Sequence, residues 1–249
     1  MVSSFDSLLK QAEQGNVVAQ FYIGAFYVNG QGVARDQAQG IKWWFRAAQQ
    51  GYAKAQHALG QTYQRGVGGI RPDDAQAVIW YTKAAEQGFA VAQYCLGFCY
   101  YRGKGVERND VRAVAWFTKA AEQGHTDAQG QLGNCYYFGE GIERNYVQAV
   151  KWYTEAAKQG DARAQNNLGN CYFKGEGVTL SYVQAVKWYT DAARQGDAYA
   201  QNCLGYCYHY GYGVMPNYEQ ALRWYTDAAN QGDPAAQRNL RILIERGRL

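Results

Sequence analysis

The chain is predicted to be an all-α solenoid built from about six 36-residue helix-turn-helix units. Three observations carry that expectation. The dipeptide Gln-Gly ends at Gly15, Gly51, Gly88, Gly124, Gly160, Gly196 and Gly232, so the chain repeats at steps of 36 residues with a single step of 37. Each repeat holds two apolar stretches at helical spacing, separated by glycine. A helix-capping residue returns at one fixed place in every repeat.

The repeat that follows Gly160 shows both helices. Asp161 suits an N-cap, and Ala164, Leu168 and Tyr172 follow at spacings of four. Gly175 and Gly177 break the pattern. Ser181 starts the second helix, which runs through Ala185, Trp188, Ala192 and Ala193 and stops at Gly196. The second cap column is Asp36, Asp73, Asn109, Asn145, Ser181 and Asn217. Gln follows three residues later in five of the six repeats, which predicts a capping-box-like pair with the Gln reaching back to the cap. The extra residue of the long step falls in Gly66-Val67-Gly68-Gly69, a loop where insertion costs little.

The other columns are packing columns. Trp43, Trp80, Trp116, Trp152, Trp188 and Trp224 form one ladder, and Trp44, Tyr81, Phe117, Tyr153, Tyr189 and Tyr225 form the next. Pairs of Ala alternate with them, so small faces large and the backbones approach closely. Loss of one buried Trp is expected to cost roughly 3–5 kcal/mol. One unit cannot bury its apolar face alone, so neighbours must stack.

The pattern Ala164-Gln165, Leu168-Gly169, Tyr172, Gly175-Glu176-Gly177-Val178, Ala185, Trp188-Tyr189 and Ala192-Ala193 resembles the Sel1-like repeat, a relative of the tetratricopeptide repeat. The resemblance covers nearly the whole chain. It implies a right-handed α-solenoid with the first helix of each unit on the concave side, in proteins that mostly act as adaptors holding other proteins. The array is expected to form a single domain over 1–249. Residues 1–15 form an N-terminal capping helix, 16–232 six repeats, and 233–249 a C-terminal capping helix. Leu8 and Leu9 stand where aromatics sit elsewhere. Leu240 keeps its column but Arg241 replaces the Gly. With Arg238, Arg246 and Arg248 it makes that end polar, as a solenoid cap requires.

Composition argues against several chemistries. Ser occurs only at 3, 4, 7 and 181 and His only at 57, 125 and 209, so a nucleophilic triad has almost no material. Ser181 reads as a cap. The Gly-x-Gly signals follow helices rather than strands and read as left-handed turn residues, not as a phosphate loop. Of the six Cys, Cys99, Cys135, Cys171 and Cys207 share one column, with Cys95 and Cys203 one turn earlier. They are expected to pack as small apolar side chains rather than bind metal. One branch of the resembled family carries a disulfide in every repeat and is linked to penicillin binding and β-lactam hydrolysis. The comparable places here hold Ala85 and Gln93, or Ala121 and Gln129, so neither property carries over. No cofactor is expected. Net charge is +4, with acidic neighbours such as Glu140 and Glu143 among the basic residues, which argues against nucleic acid. Membrane insertion is not expected either. Met1–Gln20 lacks an apolar run of signal-peptide length, and unpaired thiols suit a reducing compartment, so the expected location is cytoplasmic.

The resemblance places the residues that flank Leu-Gly in the groove. The partner-binding set is therefore Tyr94, Phe98, Tyr101, Arg102, Asn134, Tyr137, Phe138, Asn166, Asn170, Phe173, Lys174, Asn202, Tyr206, His209 and Tyr210. These columns vary between repeats of this chain while the packing columns hold constant. Asn can pair with both N–H and C=O of a peptide, Arg and Lys meet acidic groups, and Tyr and Phe supply contact area. The expectation is a non-enzymatic scaffold that binds an extended peptide or partner segment, with self-association open. A glycan-binding role in a cell-envelope system is the alternative, and β-lactam binding or hydrolysis a more distant one.

Overall fold

The computed structural model describes residues 4–245, which fall into two compact units, one ending at His125 and the other starting at Thr126. In the first, α1 (Ser4–Glu13) precedes three helix pairs: α2 (Val17–Asn29) with α3 (Gln37–Gln49), α4 (Ala53–Arg65) with α5 (Asp74–Glu86), and α6 (Ala90–Arg102) with α7 (Asp110–Glu122). In the second, α8 (Thr126–Phe138) pairs with α9 (Tyr146–Lys158), α10 (Ala162–Lys174) with α11 (Tyr182–Arg194), and α12 (Ala198–Tyr210) with α13 (Tyr218–Asn230), before α14 (Pro234–Glu245) closes it. Each unit is thus a solenoid segment of stacked helix-turn-helix repeats, the all-α class expected. Among the described residues no helix is long and apolar enough to cross a membrane. Arg246 and Arg248, expected to make the last cap polar, lie outside the described residues.

The second-helix caps form as expected. The side chains of Asp36, Asp73, Asn109, Asn145, Ser181 and Asn217 each accept from the backbone N–H three residues on, at 2.9 Å for Asp36 and 3.3 Å for Ser181. The reciprocal arm of the capping box is replaced. The cap N–H donates instead to a carbonyl near the end of the preceding helix, Asp36 to Tyr27 and Asn145 to Tyr136, both at 2.8 Å. The Gln side chain has no free donor to reach back for. The first helices end on left-handed glycines, as at Gly103 (φ 64°), which answers the Gly-x-Gly question in favour of turn geometry.

Burial corrects the weight given to the two aromatic ladders. Tyr81, Phe117, Tyr153, Tyr189 and Tyr225 are fully buried. Trp43 and Trp80 are buried, but Trp116, Trp152, Trp188 and Trp224 are only half-buried. Each of these rings is flanked by a cation of its own helix, such as Lys119 at 4.3 Å from the Trp116 centroid. Trp116 packs onto the core cluster of the repeat before it, and Trp188 and Trp224 do the same. Within each unit Trp80, Trp116, Trp188 and Trp224 therefore join neighbouring repeats, while the Tyr/Phe column fills the middle of each pair.

That division explains the Leu-Gly pair. A Cβ on Gly133 would stand 2.5 Å from the Tyr153 ring, and Gly60, Gly97, Gly169 and Gly205 face the same obstruction from their own second helices. Helix α14 has no second helix after it among the described residues. Arg241 is exposed there, Leu240 is half-buried, and Leu243 takes the buried place. At the other end Leu8 and Leu9 pack against the cluster of Ala12, Ala19, Ile23 and Trp43.

A glutamine network, formed by side chains other than the capping-box glutamines, links successive repeats. Gln20, Gln56, Gln93, Gln129, Gln165 and Gln201 are buried. Gln56 Nε2 donates to the Ala48 carbonyl of the previous repeat at 3.1 Å, and its Oε1 accepts from Gln87 Nε2 at 2.7 Å. Gln93, Gln165 and Gln201 make the same pair of bonds. A buried amide with both ends engaged carries little desolvation penalty and fixes how one repeat sits on the next.

Candidate interaction surface

In unit 2 the expected columns meet in two adjoining cavities. One, of about 280 Å³, is lined by Tyr137, Phe138, Tyr153, Asn167, Asn170 and Lys174. The other, of about 230 Å³, is lined by Asn170, Phe173, Lys174, Tyr189, Asn202, Cys203 and Tyr206. Both lie between consecutive first helices, with a second-helix Tyr as floor. Asn170 and Lys174 belong to both. Phe138 is 64% exposed, Tyr206 37% and Tyr210 44%, so three rings of the expected set stand open on this unit.

Other members of the set are already engaged. Tyr153 Oη donates to Asn134 Oδ1 at 2.8 Å, and Tyr189 Oη donates to Asn170 Oδ1 at 2.8 Å. The acceptor half of each amide is taken, so these residues offer a ligand only their Nδ2 donors rather than the two-way pairing expected. Asn202 Oδ1 accepts from Asn239 Nδ2 of the closing helix at 2.9 Å. Tyr137 Oη donates to Glu176 at 2.6 Å and accepts from Lys174 at 3.1 Å. Burial, then the Glu176 bond, raises the Tyr137 pKa and keeps the phenol protonated. Phe173 packs among Tyr182, Tyr206 and Tyr212 with centroids 5.0–6.4 Å away, as the inner edge of the core.

Two expected contact residues are corrected. Asn166 is 8% exposed and His209 is 2% exposed, so neither presents a side chain to a partner. His209 stacks on Tyr210 at 4.2 Å and meets the Tyr225 ring edge-on, which draws it into the core. Asn166 lies under the surface with an Oδ1 that has no hydrogen-bond partner.

In unit 1, Tyr94 stacks on His125 at 4.8 Å and meets Phe98 edge-on at 5.1 Å. Phe98 packs on Phe117 at 5.7 Å. Arg102 and Arg108 flank the Tyr101 ring at 5.4 and 5.8 Å. A cavity of about 370 Å³ opens beside them, lined by Gln64, Phe98, Cys99, Arg102 and Lys104.

The helix pairs, their spacing and the columns match one family model, the Sel1 repeat, six times in succession: residues 17–52, 53–89, 90–125, 126–161, 162–197 and 198–233. The chain belongs to the Sel1 repeat family. This Sel1 repeat chain is similar to c5321, a protective antigen of uropathogenic Escherichia coli, at 39% identity and a TM-score of 0.92. The match covers 98% of this chain and 52% of that one, so the chain spans about half the length of that relative. A Sel1 repeat protein from Oxalobacter formigenes is 36% identical with a TM-score of 0.76, covering 86% of each chain. Among curated proteins, the ERAD-associated E3 ubiquitin-protein ligase component HRD3A of Arabidopsis thaliana is 37% identical over 65 residues, 26% of this chain and 10% of that protein.

Burial holds five thiols and one imidazole of this Sel1 repeat chain in their neutral forms. The six cysteines are free thiols, four of them buried. Burial pushes Cys99, Cys171 and Cys207 up to about 12 and Cys95 and Cys203 up to about 11, so they stay protonated at neutral pH. Burial, helped by the Arg65 charge, lowers His57 to about 4. Among the described residues no group of three His, Cys, Asp or Glu side chains could hold a metal ion.

Proposed function

We propose that the chain is a non-enzymatic protein-interaction scaffold that holds an extended segment of a partner protein along the first-helix faces of its repeats. One observation carries the reading. The open rings Phe138 and Tyr206, with the open Tyr210 packed on Tyr206, border cavities whose amide and ammonium donors, on Asn170, Asn202 and Lys174, lie on columns that vary between repeats, while the packing beneath them does not. Aromatic side chains supply contact area with few rotors to freeze, and fixed amide donors suit peptide carbonyls. In unit 1 the same role falls to Tyr94, Phe98, Tyr101 and Arg102. The free thiols fit a cytoplasmic setting for this role.

The test is affinity capture from the native cell with the full chain, followed by mapping of the bound segment. Phe138→Ala, Tyr206→Ala and Tyr210→Ala together should lose the captured segment while the far-ultraviolet circular dichroism stays unchanged. Retained capture would refute the reading. Asn134 and Asn170 are poor probes, because each also satisfies a buried Tyr hydroxyl.

A further inference from the structure

The cavity of unit 1 between α4 and α6 differs in kind from those of unit 2. Its polar lining consists of Gln64, Arg102 and Lys104, with Phe98 and Cys99 as the apolar floor. Gln64 Oε1 accepts from Tyr81 Oη at 3.1 Å, which leaves the amide nitrogen as the group that side chain can offer. Arg102 and Lys104 are exposed, and neither joins an ion pair among the described residues. The lining is thus an amide donor, a guanidinium fork and an ammonium, with no carboxylate among them. Arg65, next to Gln64 at the end of α4, adds a third positive charge to this side. Asp74 lies near enough to act on the Cys99 thiol, yet it neither lines the cavity nor pairs with any of these cations.

Two of the three repeats of unit 2 hold the opposite charge at the matching place, and the third has Tyr212 there. Glu140 and Glu176 occupy the column of Lys104. The cation that lines both unit 2 cavities, Lys174, stands 3.8 Å from Glu176 and donates to Tyr137, so its charge is answered from within the chain. Of these three cavities, the one in unit 1 carries two cations that no carboxylate among the described residues answers.

We propose that this cavity receives the anionic side chain of an acidic segment in a bound peptide. The acid's oxygens would meet the Arg102 fork, the Lys104 ammonium and the Gln64 amide, with its methylene stem on Phe98. Acceptor-only groups, carboxylate or phosphoryl, are the chemistry that satisfies such a donor set. The proposal rests on the scaffold reading and adds the partner's charge to it.

The experiment titrates the isotope-labelled full chain with three octapeptides of one frame, bearing Glu, phosphoserine or Gln at the same two positions, followed by amide NMR. Shifts at Gln64 and Phe98–Lys104 with the Glu or the phosphoserine peptide are expected, and their relative affinities tell the two acids apart. Lys104→Glu, which installs the unit 2 charge on an exposed residue, should weaken binding by roughly tenfold or more, and Arg102→Ala should also weaken it. Equal binding of the Gln peptide, an unchanged affinity in Lys104→Glu, or shifts confined to unit 2 would overturn the proposal. The last result would leave the scaffold reading standing. Loss of partner capture in the Phe138, Tyr206 and Tyr210 variant tests that reading separately.

Discussion

Gln123 Nε2 donates to Gln93 Oε1 at 2.7 Å, and Gln93 in turn donates to the Ala85 carbonyl of the preceding repeat at 3.1 Å. One buried side chain therefore ties its own hairpin together and docks that hairpin on its neighbour. Stability in a solenoid is carried largely by such nearest-neighbour interfaces. Gln93→Leu keeps the volume and removes both bonds, leaving a buried carbonyl less satisfied. It should lower unfolding free energy by about 1–3 kcal/mol in urea titrations. Gln123→Ala removes the exposed end of the same link, where water replaces the lost partner, and should cost less than about 1 kcal/mol.

Asn170 and Tyr189 form the second kind of link, between a candidate contact residue and the core beneath it. Asn170→Ala orphans a buried hydroxyl and should destabilise the chain by about 1–2 kcal/mol. Adding Tyr189→Phe removes the orphan and should recover most of that loss, a coupling readable in a double-mutant cycle. Unit 1 already holds the apolar form of this pair, since Phe117 lacks the hydroxyl and Phe98 stands opposite it. A cycle with no coupling would separate the two residues energetically and reopen Asn170 as a free peptide reader.

The repeat architecture was legible because several local signals coincide in every unit: the caps, the Leu-Gly step and the glycine stops all report backbone geometry that one residue can dictate. The buried glutamines were not read as structural. A Gln in an otherwise apolar stripe carries no mark of the carbonyl it will meet in the next repeat. The candidate surface was legible only in part. Phe138, Tyr206 and Tyr210 are open as expected, but His209 sits one residue from Tyr210 and is buried. Helical spacing locates a side chain to within a residue of the core boundary, and which side it falls on depends on the neighbouring repeat. Asn134 and Asn170 show the same limit, because their Tyr partners lie 19 residues away on another helix.

Two glycines one turn apart on α8 should respond in opposite senses to the same change. Gly133 abuts the Tyr153 ring, whereas nothing lies within 4 Å of where a Gly130 Cβ would stand. Gly133→Ala forces ring or helix to move and should cost about 1–3 kcal/mol or more. Gly130→Ala removes only backbone freedom from the unfolded chain and should add about 0.5–1 kcal/mol. Thermal denaturation of both variants checks the pair, and a loss of stability in Gly130→Ala would show that its place in the column is needed open.

His57 makes the stability of unit 1 depend on pH in a defined window. Its ring lies 5.8 Å from Tyr81 and 5.5 Å from Phe89, with Cys95 Sγ 3.8 Å from Nε2. Burial first, and the Arg65 charge second, lower its pKa to about 4 from the usual 6.5. Between those values the unfolded chain binds a proton that the folded chain refuses. Folding stability must therefore fall as pH drops from about 6.5 towards 4, by an amount on the order of a few kcal/mol. Above that window both states hold the ring neutral and the effect vanishes. Comparison with a chain that lacks the imidazole isolates the contribution by difference. His57→Gln should flatten the fall in Tm between pH 7 and pH 4.5 relative to the parent chain. Parallel curves for the two proteins would place the ring in water rather than against Tyr81 and Phe89.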